Sequence, residues 1–174
     1  FAGERVAAGL KELGVDVRTD TGTTSVTRGD DGVSIVLDDG STVTATEVLV
    51  ATGRSPRSGD IGLDVVGLEA GRWITVDDTL RVPGSDWLYA VGDVNGRVLL
   101  THQGKYQARA AGDVIAARAK GEDVDDAPWG KHVATADSAG APQVTFSFPE
   151  VASVGLTEAD ARKAGTDVAV IDYD

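Results

Sequence analysis

The sequence contains no cysteine and no methionine, and only 5% of its 174 residues are aromatic. Without cysteine these residues hold no disulfide, no thiolate metal ligand and no redox dithiol, so the composition says nothing about the redox compartment. The two histidines, His102 and His132, are too few for a multi-histidine metal centre. We therefore expect no metal site in this chain.

Positive charge and long apolar runs are also scarce. The 28 acidic residues outnumber the 16 basic ones and are scattered along the chain, giving a net charge of -12. Nucleic acids and anionic membranes favour a basic patch, so neither is an expected partner. No apolar run approaches the ~20 residues that span a bilayer, and no charged-then-apolar leader opens the chain. We expect a soluble, cytoplasmic protein.

The pattern that remains is typical of an α/β fold, with an α+β arrangement in the C-terminal part. Apolar residues recur at helical spacing over residues 2–13 and over the proline-free stretch 101–120, and a glycine follows each stretch. Thr101 is the predicted N-cap of the second helix. Alternating apolar and polar residues around the turn DDGS predict an antiparallel hairpin over residues 33–44.

Two short apolar runs, residues 47–51 and 87–91, predict strands that are buried on both faces. A glycine follows each run closely, Gly53 in the first case and Gly92 in the second. Ligands of open α/β sheets bind beyond the carboxyl ends of strands, where the carboxylate of Asp93 can accept hydrogen bonds from a ribose or polyol. The alternative is an ordinary turn, which is the commoner role of an isolated Gly-Asp pair.

Two neighbouring groups are candidates for the same ligand. The backbone at Thr52 and Gly53 can approach the ligand closely, and the alternative is a plain exit from strand to loop. Arg54 can contact the same ligand, and the alternative is a solvated surface side chain, which is the usual state of a loop arginine. Helix N-termini favour negative charge because their first N–H groups are unpaired. The helix start at Thr101 and His102 can therefore stabilise an anion, although His102 by default is a polar first-turn residue.

Four segments, in this order, resemble the landmarks of the flavoprotein disulfide reductases. They are residues 51–56 (ATGRSP), 89–94 (YAVGDV), 100–102 (LTH) and 146–158 (FSFPEVASVGLTE). The family includes dihydrolipoamide dehydrogenase, mercuric reductase, glutathione reductase and related quinone reductases. The resemblance spans essentially the whole chain and implies FAD and NAD(P) as cofactors and a homodimer as the assembly.

The resemblance also implies a division of the chain into portions of two Rossmann-like dinucleotide-binding domains and the start of an α+β dimerisation domain. Residues 1–50 would be the closing half of the NAD(P)-binding domain, and residues 51–130 the returning half of the FAD-binding domain. Residues 131–140 would form a linker, and residues 141–174 would begin the dimerisation domain. We accordingly expect the chain to be an internal segment of a longer enzyme.

In this family the aspartate of the Gly-Asp landmark bonds the ribityl chain of FAD, which implies that role for Asp93. The Ala-Thr-Gly turn would lie against the FAD, and the backbone at residues 100–102 would meet the flavin ring, with the helix dipole supporting its reduced form. The implied cofactor-binding residues are Thr52, Gly53, Arg54, Gly92, Asp93, Leu100, Thr101 and His102.

Other family features have no counterpart in these residues. The Gly-rich dinucleotide loops, the redox cysteine pair and the C-terminal His and Glu would lie outside them, so no residue is assigned a catalytic role. The hypothesis is a segment of an FAD-dependent NAD(P)H oxidoreductase that passes hydride to flavin and onward to a disulfide, a metal ion or a quinone. Alone, we expect the segment to be inactive and to bind FAD weakly or not at all.

Two alternatives stay open. One is a cysteine-free quinone reductase or transhydrogenase of the same fold. The other is a non-catalytic remnant or interaction domain.

The large apolar side chains are expected to be packed. We expect all three tryptophans to serve packing. We expect Phe146, Phe148 and Val151 to lie in the core or in a dimer contact.

Overall fold

The computed structural model describes residues 1–173, so Asp174, the last residue of the expected dimerisation segment, lies outside the described residues. The chain divides into two compact units. The first unit comprises Phe1–Arg54 together with Thr145–Val151, and the second comprises Ser55–Val144 together with the residues from Ala152 onward.

The described residues form four helices and five strands, numbered in chain order. The helices are α1 (Ala2–Glu12), α2 (Thr101–Lys120), α3 (Ala136–Ala139) and α4 (Glu158–Lys163). The strands are β1 (Thr23–Gly29), β2 (Gly32–Leu37), β3 (Thr42–Ala45), β4 (Gln143–Thr145) and β5 (Val151–Ser153). None of these helices combines the length and the apolar character needed to cross a membrane.

The first unit is a helix followed by an antiparallel meander. Helix α1 ends with two bonds of a Schellman motif, from Gly14 N to Lys11 O and from Val15 N to Leu10 O. Strands β1, β2 and β3 pair in that order, with β2 in the middle. The predicted hairpin over residues 33–44 is confirmed. Only one face of β2 is well buried, and every residue of β1 is exposed.

Residues 47–51 do not form the predicted buried strand. The segment has no strand structure, and Leu49 and Val50 are 90% and 72% exposed. A strand that is buried on both faces requires hydrogen-bonded neighbours and a covering layer on each side. Within residues 1–173, no strand pairs with this segment. The apolar composition alone was therefore not sufficient to place it in a core.

The run 87–91 is also not a strand, although part of it is buried. Its regular pairing is a single bridge between Tyr89 and Arg81, and Ala90 is 5% exposed while Trp87 is 67% exposed. Ala90 N donates to Leu80 O, which holds the run against the second unit's core. The segment is thus an irregular extended stretch that still ends at the Gly92 turn.

The hydrophobic core lies mainly in the second unit, in two clusters. The first cluster is Leu63, Ile74, Val82 and Ala90, and the second is Leu80, Ala110, Ala111 and Ala134. Helix α2 supplies Ala110 and Ala111 and also buries Val114 and Ala117, as its spacing predicts. The C-cap that follows Lys120 is Gly121, which has a left-handed conformation and stops the helix as predicted.

Several aromatic side chains are not packed as expected. Trp87 and Trp129 are 67% and 65% exposed, so the packing prediction is wrong for both, and Trp73 alone is partly buried. Phe146 and Phe148 are 86% and 69% exposed and do not belong to the core of this chain. Burial of an aromatic ring requires neighbours on all sides, and the described residues cover only part of these side chains. The dimer contact stays a prediction.

Candidate cofactor-binding turn

The eight predicted cofactor-binding residues fall into two groups. Residues 52–54 end the first unit in an exposed loop, in which Gly53 has a φ of 132°. Gly92, Asp93 and residues 100–102 belong to the second unit. There the Gly92 turn lies against the first turns of α2, since a Cβ placed on Gly104 would lie 3.2 Å from the Gly92 Cα. These five residues form the candidate site.

Gly92 has a conformation that other residues rarely adopt. Its φ of 79° and ψ of -160° lie in a region that a Cβ disfavours, so a glycine is required there. No atom lies within 4 Å of the position that a Gly92 Cβ would occupy, so space is open beside the backbone. Asp93–Asn95 then form a single 3-10 turn, and the side chain of Asp93 is exposed.

Helix α2 spans the predicted stretch 101–120, but its N-cap lies one residue earlier than predicted. Its N-cap is Leu100, which is extended with φ -132° and ψ 133°, whereas Thr101 is already helical. The N-cap prediction for Thr101 is wrong because an N-cap residue must itself have non-helical angles. The structure gives the cap no side-chain hydrogen bond, and the first turn carries no acidic residue. The positive end of the helix dipole is thus uncompensated by its own side chains.

His102 is exposed in the first turn of α2 and is held by one hydrogen bond. Its Nε2 lies 2.8 Å from Pro142 O, so Nε2 carries the proton and donates to this carbonyl. A carbonyl can only accept, and the bond therefore also selects the tautomer of the ring. This arrangement agrees with the prediction of a polar first-turn residue.

The Gly92 turn is anchored from behind by buried amides. The Oε1 atom of Gln107 accepts from Gly92 N at 2.7 Å and from Asn95 Nδ2 at 2.8 Å. Asn95 Nδ2 also donates to Ala90 O at 3.0 Å. Gln107 is 0% and Asn95 6% exposed. These contacts fix the turn from its inner side and leave the outer side of Gly92 open.

The same amides lead to a buried carboxylate on α3. Asp137, whose side chain is 2% exposed, accepts from Gln107 Nε2 at 2.9 Å, from Gln103 Nε2 at 3.1 Å and from Arg97 Nε at 2.9 Å. Arg97 also binds Asp78 at 2.7 Å. Three donors, one of them a cation, compensate the cost of removing the carboxylate from water.

Sequence reasoning missed this network, although one signal was present. Gln103 and Gln107 follow the spacing of the buried stripe of α2 that continues through Ala110, Val114 and Ala117. A polar residue at a core-facing helical position indicates a buried hydrogen bond. Asp137 had no such signal, because it lies in a segment that read as polar linker. Its neighbours His132, Val133 and Ala134 are buried.

A second carboxylate shapes the turn that leads to the core. Asp77 Oδ1 accepts from Thr79 N at 2.9 Å, from Thr79 Oγ1 at 2.6 Å and from Arg81 N at 3.1 Å. Burial raises the pKa of Asp77, but the hydrogen bonds from Thr79 and Arg81 outweigh burial and hold this pKa below 3.8. The turn places Leu80, with a φ of 64°, fully inside the core.

The described residues contain no group of three or more histidine, cysteine, aspartate or glutamate side chains arranged to hold a metal ion. The candidate site instead offers one acceptor, the carboxylate of Asp93, together with backbone N–H donors at the start of α2 and an open glycine backbone. Such a set suits an organic ligand with hydroxyl and carbonyl groups better than a cation.

Comparison with known proteins gives two family matches. Residues 1–119 match the family described as pyridine nucleotide-disulphide oxidoreductase, and residues 141–174 match the dimerisation domain of that family. A dihydrolipoyl dehydrogenase of Staphylococcus aureus is 33% identical over 165 residues, which are 92% of this chain and 32% of that protein. A glutathione reductase of Burkholderia cepacia is 31% identical over 169 residues, 96% of this chain and 34% of that protein.

Among solved structures, LpdA from Mycobacterium tuberculosis is similar with a TM-score of 0.67 and 27% identity, covering 90% of this chain and 32% of that one. The similarity confirms the predicted fold class, a mixed α/β chain with portions of Rossmann-like domains. The chain spans about a third of the length of the curated relatives it matches.

Proposed function

Because this chain belongs to the pyridine nucleotide-disulphide oxidoreductase family, we propose that residues 1–174 serve an FAD-dependent enzyme that oxidises NAD(P)H. The flavin, when bound, supplies the chemistry, since it accepts hydride from the nicotinamide and passes electrons to a disulfide, a metal ion or a quinone. The observation that carries the proposal is the Gly92–Asp93 turn. It combines an open positive-φ glycine, which lies against the first turns of α2, with an exposed carboxylate.

The residues at this turn fit the groups that FAD presents. The ribityl chain carries hydroxyl groups, and the carboxylate of Asp93 accepts hydrogen bonds from hydroxyls. The open space beside Gly92 admits the chain close to the backbone. The start of α2, without a side-chain cap, offers N–H groups and a positive dipole end to the electron-rich edge of the ring. Residues 100–102 therefore orient the ring, and Asp93 binds the chain.

The three residues of the other group, Thr52, Gly53 and Arg54, are proposed as further FAD contacts. Gly53 has a positive φ, which supports a close backbone approach there as at Gly92. We assign residues 1–50 to the NAD(P)-binding domain, 51–130 to the FAD-binding domain, 131–140 to a linker and 141–174 to the dimerisation domain. The separate match of residues 141–174 to a dimerisation domain supports the last of these boundaries.

A homodimer is the proposed assembly. The match of residues 141–174 to a dimerisation domain supports it, as does the exposure of Phe146 and Phe148, which a second subunit would cover. The segment contains no cysteine, so reduction of a disulfide by the enzyme requires thiols outside residues 1–174. Alone, residues 1–174 are expected to be inactive and to hold FAD weakly, because no Gly-rich phosphate loop is among them.

The test is the substitution Asp93→Ala in the full-length protein, with the flavin-to-protein ratio and the FAD dissociation constant as readouts. Loss of a hydrogen bond to a charged group, about 1.5–3 kcal/mol, corresponds to FAD binding that is roughly tenfold to a hundredfold weaker. Asp86→Ala, another exposed aspartate of the second unit, is the control and is expected to change nothing. Equal flavin content in Asp93→Ala and in the unmodified protein would contradict the assignment.

A further inference from the structure

We infer that Gln107, oriented by Asp137, is a positioning residue that holds the Gly92–Asp93 turn in its flavin-binding conformation. The inference rests on the proposed function for its ligand, but its structural basis is independent of it. That basis is a chain of hydrogen bonds that runs from α3 through the buried side chain of Gln107 to the backbone N–H of Gly92.

The orientation of the Gln107 amide is set by chemistry. An ionised carboxylate only accepts hydrogen bonds, so the side of Gln107 that faces Asp137 must be the NH2 group. The carbonyl oxygen then has to face the turn, where it meets two donors, Gly92 N and Asn95 Nδ2. The acid on α3 therefore determines that an acceptor, and not a donor, lies behind Gly92.

Burial makes this acceptor hard to replace. Gln107 is 0% exposed and Asn95 is 6% exposed. Without the Gln107 oxygen, Gly92 N would lose its acceptor and Asn95 Nδ2 would keep only Ala90 O, so the turn would move to reach another acceptor. Asp93 follows Gly92 directly, so a shift of the turn displaces the carboxylate that binds the ribityl chain. A displacement of about 1 Å is enough to weaken binding, because hydrogen bonds have narrow geometric limits.

Arg97 and Asp137 extend the network to the segment just before residue 141. Arg97, 19% exposed, bonds Asp137 Oδ2, and also reaches Asp77 O and Asp78. Asp137 lies 30 residues after Gln107 in the sequence. The cofactor turn is thus coupled to a stretch that sequence reasoning expected to be only a linker, and the coupling passes through Gln107.

Gln103 is a matched control on the same helix. Like Gln107 it is a buried glutamine, 4% exposed, and it donates to the same carboxylate, at Asp137 Oδ1. It differs in one respect, since no hydrogen bond from the Gly92 turn ends on its side chain among the described contacts. Replacing either glutamine with methionine keeps the shape and removes one bond to Asp137, but only Gln107→Met removes the acceptor behind Gly92.

The experiment compares Gln107→Met and Gln103→Met in the full-length protein by two readouts. The first is hydrogen–deuterium exchange of a peptide covering residues 91–97, and the second is the FAD dissociation constant. We expect Gln107→Met to raise exchange and to weaken FAD binding about tenfold, as the loss of about 1.4 kcal/mol implies. Gln103→Met is expected to lower thermal stability similarly while changing exchange and FAD binding less than about threefold.

A folding readout guards against a variant that does not fold. Far-UV circular dichroism and thermal unfolding are expected to show that Gln107→Met and Gln103→Met are both folded and similar in stability. Two folded variants that do not differ in exchange over residues 91–97 or in FAD binding would overturn the inference.

The outcomes separate the two proposals. If Gln107→Met and Gln103→Met weaken FAD binding equally while Asp93→Ala weakens it strongly, the positioning role fails and the flavin assignment stands. If Asp93→Ala has no effect on FAD binding, the proposed function fails and the flavin role of Gln107 fails with it. Both proposals are supported if exchange is faster and FAD binding weaker in Gln107→Met but not in Gln103→Met.

Discussion

The first unit contains the larger sheet, whereas the second unit contains most of the buried residues. The first unit holds the three-stranded sheet, yet it contributes only Val33 and Leu37 to the buried hydrophobic residues of the described chain. The second unit contributes the rest of the core and all of its buried polar residues, including Gln107, although its backbone is largely irregular outside α2. A sheet pairs its own N–H and C=O groups, whereas an irregular core needs specific side chains to satisfy them.

This difference between the units indicates where a single substitution should matter. A ladder of backbone bonds in an exposed sheet survives the loss of one side chain. A buried turn that depends on one amide or one carboxylate does not, because the unpaired group stays out of water. Matched residues in the two units test this difference. All three tryptophans lie in the second unit, so fluorescence reports on that unit and far-UV circular dichroism on the whole chain.

The largest contrast is expected between two arginines. Arg97→Ala leaves the buried carboxylate of Asp137 without its cation and is expected to lower the free energy of unfolding by about 3–5 kcal/mol. Arg28 pairs with Glu47 on the surface of the first unit, with side chains 59% and 76% exposed, so Arg28→Ala should cost at most about 1 kcal/mol. Urea unfolding measures both. Similar losses for the two variants would contradict the comparison.

A smaller contrast is expected between two core residues. Leu80 is 0% exposed and belongs to the second unit's core, so Leu80→Ala is expected to cost about 2–5 kcal/mol. Val33, 2% exposed in β2, loses two methyl groups in Val33→Ala, which corresponds to about 1–2 kcal/mol. Thermal and urea unfolding of the two variants test the difference. A larger loss for Val33→Ala would show that the sheet carries more of the core than its burial indicates.

The smallest contrast concerns two turn carboxylates. In the first unit, hydrogen bonds from Ser41 lower the pKa of the exposed Asp39. In the second unit, burial raises the pKa of Asp77, but hydrogen bonds from Thr79 and Arg81 outweigh burial and lower it. Asp77→Asn is expected to cost about 1 kcal/mol at neutral pH, since the group is partly exposed and solvent screens it. Asp39→Asn is expected to cost less.

The pH dependence of the Asp77 effect has a definite sign. A carboxylate whose pKa is lower in the folded state stabilises fully above its unfolded value, and this stabilisation is lost as pH falls through the folded pKa. The stability difference between the unmodified protein and Asp77→Asn should therefore be constant above about pH 5 and shrink below pH 3.8. Unfolding curves measured between pH 7 and pH 3 test this. A difference that grows on acidification would refute it.

Local elements were predictable where the information lies in neighbouring residues. The two long helices, their glycine ends and the antiparallel hairpin follow from spacing and turn chemistry within a few residues. The Gly92 turn was located as a turn for the same reason. The choice of Thr101 as N-cap was wrong by one residue, because capping depends on backbone angles that side-chain type only favours.

Burial and the inner side of the site were not predictable in this way. The apolar run 47–51 and the aromatic residues Trp87 and Phe146 looked like core residues, but burial depends on partners that the rest of the fold has to supply. The stripe of α2 indicated that Gln107 is buried, but nothing near it in the sequence indicated Asp137, 30 positions away, as its partner.

The sequence by itself thus determined the two long helices, the hairpin, the order of the family landmarks and the position of the Gly92–Asp93 turn, because each depends on residues close together in the chain. Only the tertiary structure decided which surfaces are buried and what holds the turn. The fold brings Gly92, Gln107 and Asp137 together in space. The physical reason is that a buried donor requires an acceptor and a buried carboxylate requires donors.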